Sequence, residues 1–222
     1  MVRRSCGWAG KVGFVALMAI LVLSLSSPAT AGMRFRLGIS YISGLDDLVD
    51  QYEDNIKVKV DEGLPPWVDM DLDLDTTVIP VGLTLFPYYQ WDFGLMVGPS
   101  IGPFMFMYAF YSVEPYGDED TFYHWQLPVS ANVGFVLGPD NPVSFYVRGG
   151  PSYHFGGGDF YEGSNLGVVG AIGLEIFNTR HFRLGLEAAY DSAEVDIEDS
   201  RTHRTEGIKA AEFSFSLFFL FK

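Results

Sequence analysis

The feature that most constrains this chain is an alternation of apolar and polar residues with a period of two, repeated along almost its whole length. Successive side chains of a strand point to opposite faces, so such alternation describes strands with two chemically different sides. Phe35, Leu37, Ile39 and Tyr41 share one face, and Arg34, Arg36, Gly38 and Ser40 share the other. The pattern recurs with Ile79, Val81, Leu83 and Leu85, and then with Phe93, Leu95, Val97, Ile101 and Met105. It continues in Trp125–Phe135, Val143–Ser152, Leu166–Ile176, Phe182–Tyr190 and Phe213–Phe221. Eight strands result, each near the 9–11 residues that cross a bilayer at a tilt. After residue 31 no run of 18 apolar residues occurs, so the sequence offers no membrane helix there.

Residues 1–31 read as an address and stand apart from the fold. Arg3, Arg4 and Lys11 precede an apolar run from Val12 to Leu25, and Ala29 and Ala31 supply small residues at a cleavage pattern. This is the grammar of a secretory signal peptide, with the mature chain expected to begin at Gly32. The run of 14 is short for a membrane anchor, and Cys6 precedes it, whereas an acylated lipoprotein cysteine would follow it. No cysteine remains after cleavage, which excludes a disulfide framework and a CxxC site.

The polar face of the eight strands is mostly Gly, Ser, Asn and charge, a poor core for a soluble sandwich. A closed barrel turns the fuller apolar face to lipid, places the small polar face in the lumen and leaves no strand edge unpaired. The competing reading is a soluble, lipocalin-like eight-stranded barrel. The connections favour the membrane form. Short links at 87–90, 138–141 and 178–180 alternate with long ones at 45–75, 112–121, 156–165 and 191–207, as periplasmic turns alternate with extracellular loops. Tyr88, Tyr89 and Trp91 suit one aromatic girdle, and Tyr108, Phe110, Tyr111, Phe122, Tyr123 and Trp125 suit the other.

On these grounds the chain resembles the small eight-stranded outer-membrane barrels, among them the OmpA transmembrane domain and OmpX/Ail. Its terminal run Phe213-Ser214-Phe215-Ser216-Leu217-Phe218-Phe219-Leu220-Phe221 is similar to the aromatic-ended last strand read by the barrel assembly machinery, although Lys222 makes the aromatic penultimate. The fold expected is all-β, an eight-stranded antiparallel up-and-down transmembrane barrel over 32–222. The resemblance implies the outer membrane of a Gram-negative envelope as location, its lipid and lipopolysaccharide as partners, and a monomer.

The mature chain carries 11 Lys+Arg against 28 Asp+Glu, a formal −17, which excludes a polyphosphate-binding face and hence nucleic acid. Of the 28 acids, 23 fall in the four long connections. Alternation on both sides of Glu62-Gly63-Leu64-Pro65-Pro66, in Ile56-Lys57-Val58-Lys59-Val60 and in Asp69–Asp75, predicts an external hairpin, and Glu194–Asp199 predicts another. Asp69, Asp71, Asp73 and Asp75 with Glu194, Asp196 and Glu198 form a candidate weak site for Ca²⁺ or Mg²⁺, since clustered carboxylates suit hard divalent ions. The plainer reading is a solvated acidic surface. No other cofactor is indicated.

Six charges fall on lumen-facing positions: Arg36, Arg148 and Arg183, with Glu175, Glu187 and Glu212. Unpaired charge in a low dielectric is costly, so these should pair across the lumen, Glu175 with Arg183 directly across a short turn. Eight strands enclose only enough room for side chains, which disfavours a solute pore. His124 and His154 share lumen parity on adjacent strands and are candidates for a metal or proton site, or for hydrogen-bonded filler. His203-Arg204-Thr205 is faintly similar to the His-x-Ser stretch of lipid A 3-O-deacylases, but Thr205 stands where the nucleophile would be. The expected function is thus a non-enzymatic surface protein working through acidic loops in envelope structure, adhesion or protection. A lipid A-modifying hydrolase or acyltransferase and, behind it, a narrow porin are the alternatives.

Overall fold

A computed structural model describes residues 32–63, 71–114, 118–138, 141–176, 182–209 and 212–221. The expected signal segment and residue 69 lie outside them. The chain runs through β1 (Gly32–Ser43), α1 (Asp46–Gly63), β2 (Asp71–Ile79), β3 (Val81–Gln90), β4 (Leu95–Ile101) and β5 (Met105–Glu114). There follow β6 (Asp118–Leu137), β7 (Ser144–Gly158), β8 (Tyr161–Ser164), β9 (Gly167–Ile176), β10 (Phe182–Asp191), β11 (Glu194–Asp199), β12 (Arg204–Lys209) and β13 (Phe213–Phe221).

Eight staves close into an antiparallel ring. In order they are β1, β2–β3, β4–β5, β6, β7, β9, β10 and β13. β13 returns to β1 with Phe35 opposite Phe221 and Ser43 opposite Phe213, so no barrel edge is left open. As alternation requires, Leu37, Ile39, Leu83, Val133, Val147, Ile172, Leu186 and Leu217 face outward and exposed. Ser40, Ser100, Ser130, Asn132, Arg148, Ser152, Glu175, Arg183 and Glu187 are buried inside. A face this apolar on the outside of a closed sheet is the inverse of a soluble barrel, where the larger residues fill the interior.

The expected faces fail at one stave, for a local reason. Leu85 stands opposite Ile101, but Ile79 stands opposite Phe106, so the register between the two staves slips by one residue at 102–104. Gly102 makes the slip there: its φ is +91°, and a Cβ would lie 2.2 Å from the Leu83 carbonyl oxygen. A one-residue slip exchanges the faces. Met105 is therefore an interior residue, with Met107, Ala109 and Tyr111, while Phe104, Phe106, Tyr108 and Phe110 face out. The girdles are correspondingly smaller than expected, because Tyr88, Tyr111 and Phe122 are buried inside the molecule.

The staves β2, β5, β6 and β7 rise past the ends of β1 and β13, and β7 hands on through β8 to β11 and β12. The extension is a sheet open on one side, and α1 fills the opening. Leu48, Tyr52, Ile56 and Val60 recur at intervals of four, which places them on one helix face. That face is buried against Ile42, Met105, Met107, Tyr111, Phe122, Phe160, Val195 and Ile197. Burial of an aliphatic side chain such as Leu48 or Ile56 contributes about 1.5–3 kcal/mol. Asp46 and Asp47 in the first turn suit the helix dipole.

This corrects the expected first hairpin. Ile56–Val60 is helical, because its five-residue alternation is overridden by the longer four-residue spacing; only Asp71–Ile79 is extended, as an upward continuation of its stave. The second hairpin is present as β11 and β12, with Glu194 opposite Lys209 and Asp199 opposite Arg204.

Candidate functional site: a lumen closed at two levels

The lower closure lies toward the short-turn end. Glu175 on β9 binds two guanidinium groups, Arg36 on β1 through Nη2 and Arg183 on β10 through Nη1, the latter at 2.7 Å. Glu187 on β10 receives Arg148 in a forked pair, Nη2 to Oε1 at 2.6 Å and Nε to Oε2 at 2.9 Å. The Tyr146 hydroxyl donates to Glu187 Oε2 at 2.7 Å, and Arg148 Nη1 donates to Asn132 Oδ1 at 2.6 Å. Arg36 also stands 4.0 Å from Glu187, which joins the two groups into one network. All five charged side chains are buried.

Among the described residues three cations face two carboxylates here, and aromatic rings surround Arg36. The Arg36 guanidinium carbon lies 3.9 Å from the Tyr146 ring centre, 4.7 Å from Tyr88, 4.9 Å from Phe218 and 5.5 Å from Phe86. Ring faces carry negative potential, and desolvated contacts of this kind contribute about 2 kcal/mol. Phe86, Tyr88, Met96, Val136, Tyr146, Phe218 and Leu220 pack as one buried cluster around it. Gly173 and Gly185 leave the space that Tyr146 and Phe218 occupy, since a Cβ on either would lie within 2.2 Å of those rings.

Five of the six charges read from sequence meet in this layer. The Glu175–Arg183 contact is diagonal rather than direct, because Glu175 stands opposite Gly185. Glu212 is the exception: it lies just before β13, part-exposed, and accepts from Lys209 at 3.0 Å. The aromatic cage around Arg36 is not apparent from alternation alone, although Phe218 and Leu220 break the polar side of the last strand.

Above this layer the interior is polar. Ser40 bonds Thr84 and Ser216, and Ser100 bonds Ser130, all at 2.6 Å. A cavity of about 40 Å³ remains among Thr84, Ser100, Ser130, His154 and Asp191, room for a few waters. His154 Nε2 is 3.3 Å from Asp191 Oδ2, and Ser152 donates to Asp191 Oδ1 at 2.6 Å. Asp191, which the sequence places in a loop, is their part-buried partner at the end of β10.

The upper closure is α1. Tyr52 Oη and His124 Nδ1 share a hydrogen bond of 3.0 Å beneath it, with the Phe160 ring edge-on to Tyr52. His124 is fully buried. Burial also pushes the Tyr52 hydroxyl well above its ordinary value. Asn55 fastens the helix to the far hairpin, donating to the Glu198 carbonyl at 2.6 Å and accepting from Ser200 N–H at 2.8 Å. Lys59 lies 4.9 Å from the Phe122 ring centre and 5.1 Å from Phe160.

The two histidines are not brought together. His124 stands opposite Gly158 and His154 opposite Pro128, four residues apart along the same strand pair, each with its own partner. His203 is exposed at a turn with φ +51°, 3.5 Å from Glu198, and Thr205 is exposed on β12. Asp73 and Asp75 lie on β2, whereas Glu194, Asp196 and Glu198 lie on β11 with α1 between the two strands. Among the described residues no three metal-ligating side chains converge. A different acidic surface is present: Asp47, Asp50 and Asp54 of α1 line an open groove with Glu194 and Glu206.

No protein-family model matches the chain, and no curated protein matches it. Among solved structures it is similar to the outer membrane protein OprG from Pseudomonas aeruginosa, with 12% identity and a TM-score of 0.52 over 85% of this chain and 94% of that one. Neisserial surface protein A aligns over 86% and 98% of the two chains at 12% identity, with a TM-score of 0.43. The likeness to OprG is one of fold: the chain shares the barrel architecture of small outer-membrane proteins.

Proposed function

We propose that this chain is a monomeric outer-membrane barrel with a closed lumen and no catalytic task, presenting the acidic module of α1, β8, β11 and β12 to the outside of a Gram-negative cell. The observation that carries the reading is the double closure. An ion-pair layer caged by aromatic rings fills the lower lumen, and an apolar helix face covers the upper mouth. The outward apolar face and its similarity to OprG support placement in an outer membrane, reached through the signal segment and the barrel assembly machinery. The acidic module associates with lipopolysaccharide through Ca²⁺ or Mg²⁺, bound diffusely and weakly, at about 10⁻⁴–10⁻³ M.

Cysteines at Ser164 or Ser200 should label with an impermeant maleimide on whole cells, and one at Asn178 should not. The reverse pattern would refute the orientation. Lipid A from a deletion strain should keep its mass profile; a changed acylation pattern would favour the lipid A-modifying alternative.

A further inference from the structure

The register slip at Gly102 turns a Met-x-Met pair indoors. Met105 and Met107 share one face of β5, and after the slip that face is the interior, where both side chains are fully buried. On the neighbouring strand Met107 stands opposite His124, and Met105 opposite Gln126. Residues directly opposite on one face of an antiparallel pair have Cβ atoms about 4.5–5.5 Å apart. Two thioethers, an imidazole and a carboxamide therefore share one buried patch, beside the cluster that seats Tyr52 of α1.

The polar atoms of this patch are unpaired. Among the described residues, His124 Nε2 and both amide atoms of Gln126 are buried without a hydrogen-bond partner. On the other side β7 offers no side chain to them, because Gly158 stands opposite His124 and Gly156 opposite Gln126. Thioether sulfur is only a weak acceptor, so the two methionines cannot satisfy them. Buried polar atoms almost always have partners, and orphans gathered in one patch point to a ligand. Tyr52 decides which atom of the imidazole is offered. Its hydroxyl shares the 3.0 Å hydrogen bond with Nδ1. In the tautomer that donates Nδ1–H to this oxygen, Nε2 presents a lone pair on the other side of the ring. Metal-binding histidines are held in the same way, by an acceptor on the second ring nitrogen.

The donor set selects the ligand. Counted over His, Cys, Asp and Glu alone, no metal site converges among the described residues, so this one depends on thioether sulfur. Thioether and imidazole donors suit soft ions such as Cu(I), whereas Ca²⁺ and Mg²⁺ take oxygen. The donors are neutral and buried, which favours a single positive charge over a double one, since buried charge without a counter-charge is costly. Unbranched methionine side chains can adjust their sulfur atoms to an ion.

We propose that Met105, Met107 and His124 form a binding site for a soft monovalent metal ion, Cu(I) or Ag(I), with Gln126 beside it. The ion is held beneath α1 without change of oxidation state. The site is separate from the acidic module and stands whichever way the barrel is oriented.

The test uses the mature protein in phosphatidylcholine nanodiscs, in chloride-free buffer, titrated with silver nitrate as a redox-inert probe. Calorimetry should show one silver ion bound per chain, and equimolar zinc or calcium should not displace it. Met105→Leu/Met107→Leu keeps the side-chain volume but removes both sulfur atoms. That variant and His124→Gln should each weaken silver binding by about 100-fold or more, beyond the 10–100-fold that loss of a supporting partner costs. Met33→Leu, near the short-turn end, should leave the affinity unchanged. X-ray absorption of protein loaded under nitrogen with the acetonitrile complex of Cu(I) should show sulfur bound to copper in wild type and none in the leucine variant. Equal silver affinities in wild type and the leucine variant would overturn the inference, as would copper bound by nitrogen and oxygen alone, or silver displaced by zinc. The heat-dependent gel shift of the folded barrel checks that each variant folds.

Discussion

Removing Glu175 should cost more than removing Arg183, although the two are partners. Glu175 binds both Arg36 and Arg183, so Glu175→Ala leaves two guanidinium groups buried without their carboxylate. Arg36 keeps only Glu187 at 4.0 Å, itself already engaged by Arg148. Breaking a buried pair by removing one partner costs about 3–5 kcal/mol. Arg183→Ala removes its charged hydrogen bond to Glu175 but leaves that carboxylate paired with Arg36, and the loss of that bond costs about 1.5–3 kcal/mol. The double variant should be less destabilised than the two single losses summed, because each removes part of the same interaction. Urea unfolding of the protein refolded into lipid vesicles measures all three. Equal costs for the two single variants, or less than about 1 kcal/mol for Glu175→Ala, would refute the bridging role of Glu175.

Asn55→Ala should free the β11–β12 turn by about 1–3 kcal/mol, since its two bonds are part-buried, and an unchanged exchange rate at Ser200 would dismiss that fastening. In calorimetry, an Asp47/Asp50/Asp54→Asn variant should lose part of the stabilisation that millimolar Ca²⁺ gives wild type; equal responses would leave that groove a solvated surface.

The barrel itself was legible because a sheet that faces lipid outside and side chains inside writes a period of two into every stave. The charge layer was legible for the same reason, since parity alone puts Arg36, Arg148, Glu175, Arg183 and Glu187 indoors. The failures have local causes. Gly102 carries a one-residue slip that reverses the faces after it, and a slip leaves no trace in composition. α1 is hidden because Ile56–Val60 alternates over five residues, while the helical spacing of Leu48, Tyr52, Ile56 and Val60 shows only over the longer stretch. The extension above the band has an apolar interior, so on β5 both faces are apolar and alternation stops being informative. Glu212 has lumen parity with β13 but lies before that strand begins, where it pairs with Lys209.

Closure of the lumen is the claim on which the rest depends, and conductance across a planar bilayer tests it most directly. With insertion verified by protease protection in the same lipid, wild type should carry no steady ion current between pH 6.5 and 8. Deleting α1 alone should leave it silent, because the layer of Arg36, Arg148, Glu175, Arg183 and Glu187 still fills the lower lumen. A steady open-channel current in wild type would contradict the account.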